Sequence, residues 1–163
     1  MFGDIGIGII LSTILTHLFG VELNAIYVIA GILFALIPDI DMLSYVHPWF
    51  KKIFNDHRDW THEPWLYLVI SITLYFIAGP LWALLFFSTT LLHFIHDSLW
   101  IGPGIMWFTP ISKKRYKFFN IEKPYEPGPI TWFRDFYLRP TIVSITEISV
   151  FFLSLIILYT FLN

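Results

Sequence analysis

The sequence predicts an all-α, polytopic membrane helical bundle, and three observations carry that expectation. Of its 163 residues, 56% are hydrophobic and only 13% charged, about half the charged share of a soluble domain. Five apolar stretches are long enough, or nearly so, to cross a hydrocarbon core that needs roughly 20 residues. All 10 Lys and Arg fall in two of the connections between those stretches. The length sets one domain, residues 1–163, as the expected organisation.

The stretches run over Ile5–Phe19, Leu23–Leu43, Trp65–Ala78, Leu81–Ile101 and Thr141–Leu162. The first and third are short, which suits tilted partners buried in a bundle. None shows the period-two alternation of a barrel strand, so helices are the structures that satisfy their backbone in lipid. Phe19-Gly20-Val21-Glu22 and Gly79-Pro80 read as tight links. Lys51, Lys52 and Arg58 lie between spans two and three, and Lys113, Lys114, Arg115, Lys117, Lys123, Arg134 and Arg139 between spans four and five. With five spans both connections share one side, which the positive-inside rule makes cytoplasmic. The N-terminus is then inside and the C-terminus outside. Trp49, Trp60, Trp65, Trp100, Trp107 and Trp132 gather at the same ends, as interfacial anchors do. The connection Gly102–Pro140 is rich in Pro, Gly and aromatics and reads as a lid on the membrane interface.

Composition also excludes functions. A net charge of −2 gives no electrostatic footing for nucleic acid. With no cysteine, thiolate metal sites and disulfides are out. No Lys or Arg precedes the first apolar run and no small-residue cleavage site follows it, so a cleaved signal peptide is not expected.

Against this apolar background the ionisable residues stand out, because acids within spans are costly and mark function. Asp39 and Asp41 end the second span; Asp97 lies near the cytoplasmic end of the fourth. His93 and Asp97, four apart, share one helical face and can converge on one ion, whereas His96 lies about 100° around the helix from Asp97 and is expected to act elsewhere. His57 and His62 belong to the polar island Asp56–His62. Asp4 begins the first span and Glu147 lies about two turns inside the fifth. The topology, built from Lys and Arg alone, puts these acids and imidazoles on one side, Glu147 least firmly. So many carboxylates at low dielectric repel unless a cation joins them. Imidazole with carboxylate suits Zn²⁺, Mn²⁺ or Fe²⁺ better than Ca²⁺, and the ligand pool suffices for two ions.

Each element has an ordinary alternative. Asp39 after Pro38 is also an interfacial end-cap, and Thr61 also an N-cap for the third span, with Pro64 in its first turn. His57 and His62, five apart, reach one metal only through a turn. Arg58 is either a topology charge or a phosphate clamp. His17 falls at the outer end of the first span and His47 precedes Pro48 in a loop; for both the ordinary reading is preferred.

Taken together, Leu36-Ile37-Pro38-Asp39-Ile40-Asp41, His57-Arg58-Asp59-Trp60-Thr61-His62 and His93-Phe94-Ile95-His96-Asp97 resemble the membrane-bound metal-dependent hydrolase family that includes a LexA-regulated bacterial inner-membrane protein. That family reads roughly L-P-D-[IL]-D, H-R-G-[FW]-[ST]-H-S and H-x-x-x-D. Met106-Trp107-Phe108-Thr109-Pro110 resembles its L-W-P segment, and Thr146-Glu147 a late Ser-Glu. The resemblance covers the second span to the fifth and implies a hydrolase distantly similar to zinc-dependent phospholipase C. Departures are Met42 where a His is common, Asp59 and Glu63 in place of Gly and Ser, and Asp4 where an early His is common.

The resulting expectation is a cytoplasm-facing site holding one or two divalent ions, Zn²⁺ or Mn²⁺. Its ligands would be Asp39, Asp41, His57, His62, His93 and Asp97, with Asp4 and Glu147 as weaker candidates. The expected reaction is hydrolysis of a phosphoester in a lipid or lipid-linked substrate by an ion-activated water, with Arg58 holding phosphate. Two other classes compete: an ion or small-solute transporter, and a non-catalytic membrane protein stapled by metal.

Overall fold

The computed structural model describes residues 1–45, 48–53, 60–99, 104–119, 137 and 141–162. Regular structure among them is helical: α1 (Phe2–Leu18), α2 (Ala25–Leu36), the short α3 (Pro48–Lys51), α4 (Pro64–Ala78), α5 (Pro80–Leu99) and α6 (Ile142–Leu162). The five long helices fall on the five apolar stretches. Two helical segments are long and apolar enough to cross a membrane: residues Ala25–Ser44 and Ile142–Leu162. Phe2–Leu18 and Pro64–Ala78 are apolar but shorter.

The element ends have local causes. Asn24 caps α2, its side chain accepting from Ile26 N at 2.9 Å and Tyr27 N at 3.4 Å. Thr141 and Ser144 cap the start of α6 reciprocally, Thr141 N donating to Ser144 Oγ at 2.8 Å and Ser144 N to Thr141 Oγ1 at 3.2 Å. The α1–α2 link turns at Gly20 (φ 64°) and the α4–α5 link at Gly79 (φ 92°), conformations in which a side chain would be strained. The α-helical part of the second span ends earlier than Leu43. After Leu36 the chain tightens into a 3-10 helix over Ile37–Tyr45. Pro38 accounts for this, since it lacks an N–H and its ring crowds the preceding turn. The 3-10 winding re-aims Asp39 and Asp41 at the end of the span, and such departures from α geometry often coincide with function.

Helix α1 is central, packed on α2, α5 and α6. Glycines make its contacts close. A Cβ on Gly8 would stand 2.5 Å from the Gly31 carbonyl oxygen of α2, and one on Gly6 would stand 3.0 Å from the backbone of Phe151 in α6. Small residues at such crossings let helices in lipid gain van der Waals contact. Gly3 lies against Glu147 near the N-termini of α1 and α6, and the His17 ring meets Phe161 near their C-termini at 5.3 Å. The two helices therefore run parallel.

The surface and the interior exchange their usual roles. Phe76 (80% exposed) and Ile77 (78%) of α4, with Phe152, Ile156 and Tyr159 of α6, face outward. Ser12, Thr13, Thr16, Thr89 and Thr90 are buried. These hydroxyls donate to carbonyls three or four residues back, for example Thr13 to Ile9 at 2.8 Å and Thr89 to Leu85 at 2.7 Å. No polar group there is left to water. Beneath the site lies an aromatic cluster of Tyr67, Phe86, Phe94 and Ile105, with Phe34 and Trp107 against it. The described start of the Gly102–Pro140 connection is fastened to α5. Trp107 Nε1 donates to Ser98 Oγ at 2.9 Å, Phe118 N to Ser98 O at 2.7 Å, and Ile105 bridges Tyr116. Residues 104–119 thus act as a base under the site; of the rest of the expected lid only Tyr137 is among the described residues.

Candidate metal centre

At one end of the bundle four side chains from three pieces of chain converge. Asp39 comes from the 3-10 helix after α2, His62 from a short turn (Trp60–His62) before α4, and His93 and Asp97 from successive turns of α5. One ligand atom from each lies within 4.8 Å of the others. His62 Nε2 is 3.3 Å from Asp97 Oδ2 and 3.7 Å from Asp39 Oδ1; His93 Nε2 is 3.6 Å from both of those oxygens. Ligands held at 2.0–2.1 Å around a tetrahedral ion stand about 3.3 Å apart. The four histidine–aspartate distances come close to that value, and the group as a whole could hold a metal ion. The Nε2 of His93, the nitrogen that faces the cluster, is buried without a hydrogen bond. An orphaned polar group at such depth is costly unless something else pairs with it. The donor set, two imidazoles and two carboxylates, could hold a metal ion.

The turn bearing His62 is tied down on both sides. Tyr67 of α4 donates its hydroxyl to the Thr61 carbonyl at 2.7 Å, and its ring packs on Phe86 and Phe94. Thr61 does not cap α4, whose N-cap is Glu63 without a side-chain bond. Instead its hydroxyl donates to Asp41 Oδ2 at 2.8 Å and lies 3.0 Å from His62 Nδ1. A hydroxyl has one proton, and an ionised carboxylate can only accept it. Thr61 must then accept from His62 Nδ1–H, which leaves the Nε2 lone pair of the neutral ring facing Asp39 and Asp97. Asp41 is 3.4 Å from the same Nδ1. It thus stands behind His62, on the side away from the four-residue cluster. Burial opposes charging of His62, but the hydrogen bonds of Asp39, Asp41 and Asp97 outweigh it and raise its pKa to about 9.

Asp4 and Glu147 form a second polar group beside the first. Asp4 Oδ1 lies 3.3 Å from His93 Nδ1 and 3.3 Å from His96 Nδ1, and His96 Nε2 is 3.5 Å from Glu147 Oε1. Glu147 Oε2 accepts from the Tyr137 hydroxyl at 2.5 Å and from Gly3 N at 3.3 Å. The Met1 ammonium is 2.7 Å from Asp4 Oδ2 and 2.9 Å from Glu147 Oε2. His96, set apart from the site in sequence by its helical angle, is what links the two acids. Thr61 stands out in the sequence only as a possible N-cap, and Tyr137 carries no signal there. His57, Arg58 and Asp59 lie outside the described residues, and Glu63 bonds Trp65 Nε1 at 2.8 Å at the surface.

A family model described as YdjM inner membrane protein matches residues 1–163. The chain belongs to the YdjM inner membrane protein family. Membership makes lipid the solvent for this bundle and explains the outward-facing Phe76 and Ile77 beside buried threonines. The family description states a location and no activity. No curated protein and no solved structure matches the chain.

Proposed function

We propose that this YdjM-family protein is a membrane-embedded, metal-dependent hydrolase. The observation that carries the reading is the convergence of Asp39, His62, His93 and Asp97 at ligand spacing. The two imidazoles are buried, yet Asp39 and Asp97 retain 21% and 12% side-chain exposure. A closed structural site has four protein ligands and no open side, whereas a catalytic one keeps a position for water or substrate. Exposure on the carboxylate side alone favours the second. A divalent ion there would supply Lewis acidity and lower the pKa of a bound water toward neutrality.

The chain's own residues do the remaining work. His62 and His93 present Nε2 from a dry interior, and Asp39 and Asp97 offset the ion's charge on the accessible side. The substrate class is a phosphoester, in a lipid headgroup or lipid-linked molecule that reaches the site laterally, with Arg58 on the phosphate. If α1, α2 with its 3-10 extension, α4, α5 and α6 each cross the membrane, the connections that carry all 10 Lys and Arg in the sequence share one side. That side is cytoplasmic by the positive-inside rule, and the polar site opens there.

The test is turnover of a panel of phosphoesters and phospholipids by purified protein, with and without added Zn²⁺ or Mn²⁺, beside His93→Ala. Metal-dependent turnover lost in His93→Ala is the expected result. Metal bound without turnover on the panel would instead make the ion a staple between the helices and the His62 turn.

A further inference from the structure

Asp4 was expected from its sequence position to be a ligand. Its surroundings indicate a different task. It is almost fully buried, and its Oδ1 faces the Nδ1 atoms of two imidazoles, His93 and His96, at 3.3 Å each. His93 offers its other nitrogen, Nε2, to Asp39 and Asp97. One imidazole cannot direct both nitrogens at one ion, so the atom facing Asp4 lies on the far side of the ring from the four-residue cluster.

We infer that Asp4 is a positioning residue for the metal centre: its carboxylate holds the Nδ1–H of His93, so that the Nε2 lone pair points at the ion. The inference rests on the metal-centre reading above. The molecule carries the same device once more, on the other histidine. His62 Nδ1 is held by Thr61 and Asp41 while Nε2 turns to Asp39 and Asp97. Ligating histidines commonly donate their second N–H to a carboxylate, which fixes the tautomer and raises ligand basicity. Here one acid backs each ring: Asp41 from the 3-10 helix, and Asp4 from α1.

Asp4 is itself held. His96 bonds it from α5 and turns its other nitrogen to Glu147 Oε1 at 3.5 Å, while Glu147 is fixed by Tyr137 and by Gly3 N. Contacts on both Asp4 and Glu147 are already supplied by hydrogen-bond donors, and His96 divides its two nitrogens between them. That arrangement orients a carboxylate and leaves no convergent set of lone pairs for a second ion. The line Glu147–His96–Asp4–His93 thus connects α6 and α1 to the centre without placing a ligand on either helix.

The experiment is Co²⁺ titration of the full-length protein in detergent, read by bound equivalents, affinity and the visible d–d absorption bands, for wild type, Asp4→Ala, Asp4→Asn and His62→Ala. We expect Asp4→Ala to bind as many equivalents as wild type, about 10- to 100-fold more weakly, with displaced d–d bands. Asp4→Asn keeps the shape and one acceptor oxygen, and should restore part of the affinity; it also serves if Asp4→Ala does not fold. Loss of a bound equivalent in both Asp4 variants would make Asp4 a ligand and overturn the inference. Unchanged affinity and bands would overturn it too, while His62→Ala still loses Co²⁺. A wild type that binds no Co²⁺ would remove the metal centre itself, a failure distinct from the other two.

Discussion

Two polar clusters built from the same residue types lie on either side of one imidazole, and they are put together differently. On the Nε2 side of His93, two histidines and two aspartates stand 3.3–3.7 Å apart around a common point. On the Nδ1 side, Asp4, His96 and Glu147 are strung in a line and bonded to Tyr137 and Gly3 N. In the first arrangement ring nitrogens and carboxylate oxygens converge on one point, where a cation could join them. In the second each acid is bonded to donors of its own. Residue type alone therefore does not make a metal site; what decides is whether lone pairs meet at a point or are each given a donor.

The strongest way to break this comparison is to remove the ring that both clusters share. His93→Ala should reduce bound metal from stoichiometric to background, measured by elemental analysis of purified protein. If metal remained at the wild-type level, the convergent cluster would not be the site. Thr61→Val tests the orientation of the other ring. Asp41 and His62 Nδ1 then each lose the Thr61 hydroxyl as one of their partners, so metal affinity should fall, by up to about tenfold. Loss of the buried Thr61 hydrogen bonds should lower stability by about 1 kcal/mol, seen in a thermal melt.

The pH dependence of metal uptake gives a graded test. Without an ion His62 keeps its proton up to about pH 9, and a metal ligand must be neutral. Apparent affinity should therefore fall about tenfold per pH unit as pH is lowered below 9, and uptake at pH 7 should release a proton, read by calorimetry in buffers of different ionisation enthalpy. The sign reverses for the metal-free protein. There the raised pKa contributes stability that is fully present below the ordinary value of 6.5 and is lost as pH rises through about 9. The smallest effect on metal belongs to Glu147→Gln, at the far end of the second cluster. Bound equivalents should stay unchanged, and a lost equivalent would turn the donor-rich cluster into a second ion site.

Much of this was legible before any coordinates. The apolar stretches located the five long helices, within three residues at the described ends except at the end of the second, because in lipid an apolar segment has few ways to satisfy its backbone other than as a helix. The spacing of His93 and Asp97 gave one wall of the cluster, since residues four apart share a helical face. The second span was read as one continuous helix, and Pro38 converts its last turns to 3-10 geometry. That change matters to the candidate site because it places Asp39 beside the Nε2 atoms of His62 and His93 and Asp41 behind His62.

Composition and periodicity by themselves thus determined a helical membrane bundle with its ionisable residues at one end. Tertiary structure decided how those residues divide. Glycine contacts at Gly3, Gly6 and Gly8 bring α1 close to α2 and α6, and the packing of α1 on α5 brings Asp4 to His93 and His96. Asp4, His93 and Glu147 lie on three separate helices, so their contacts depend on crossing distance and rotation about each axis. Those quantities arise from packing between helices, which no single helix carries in its own sequence period.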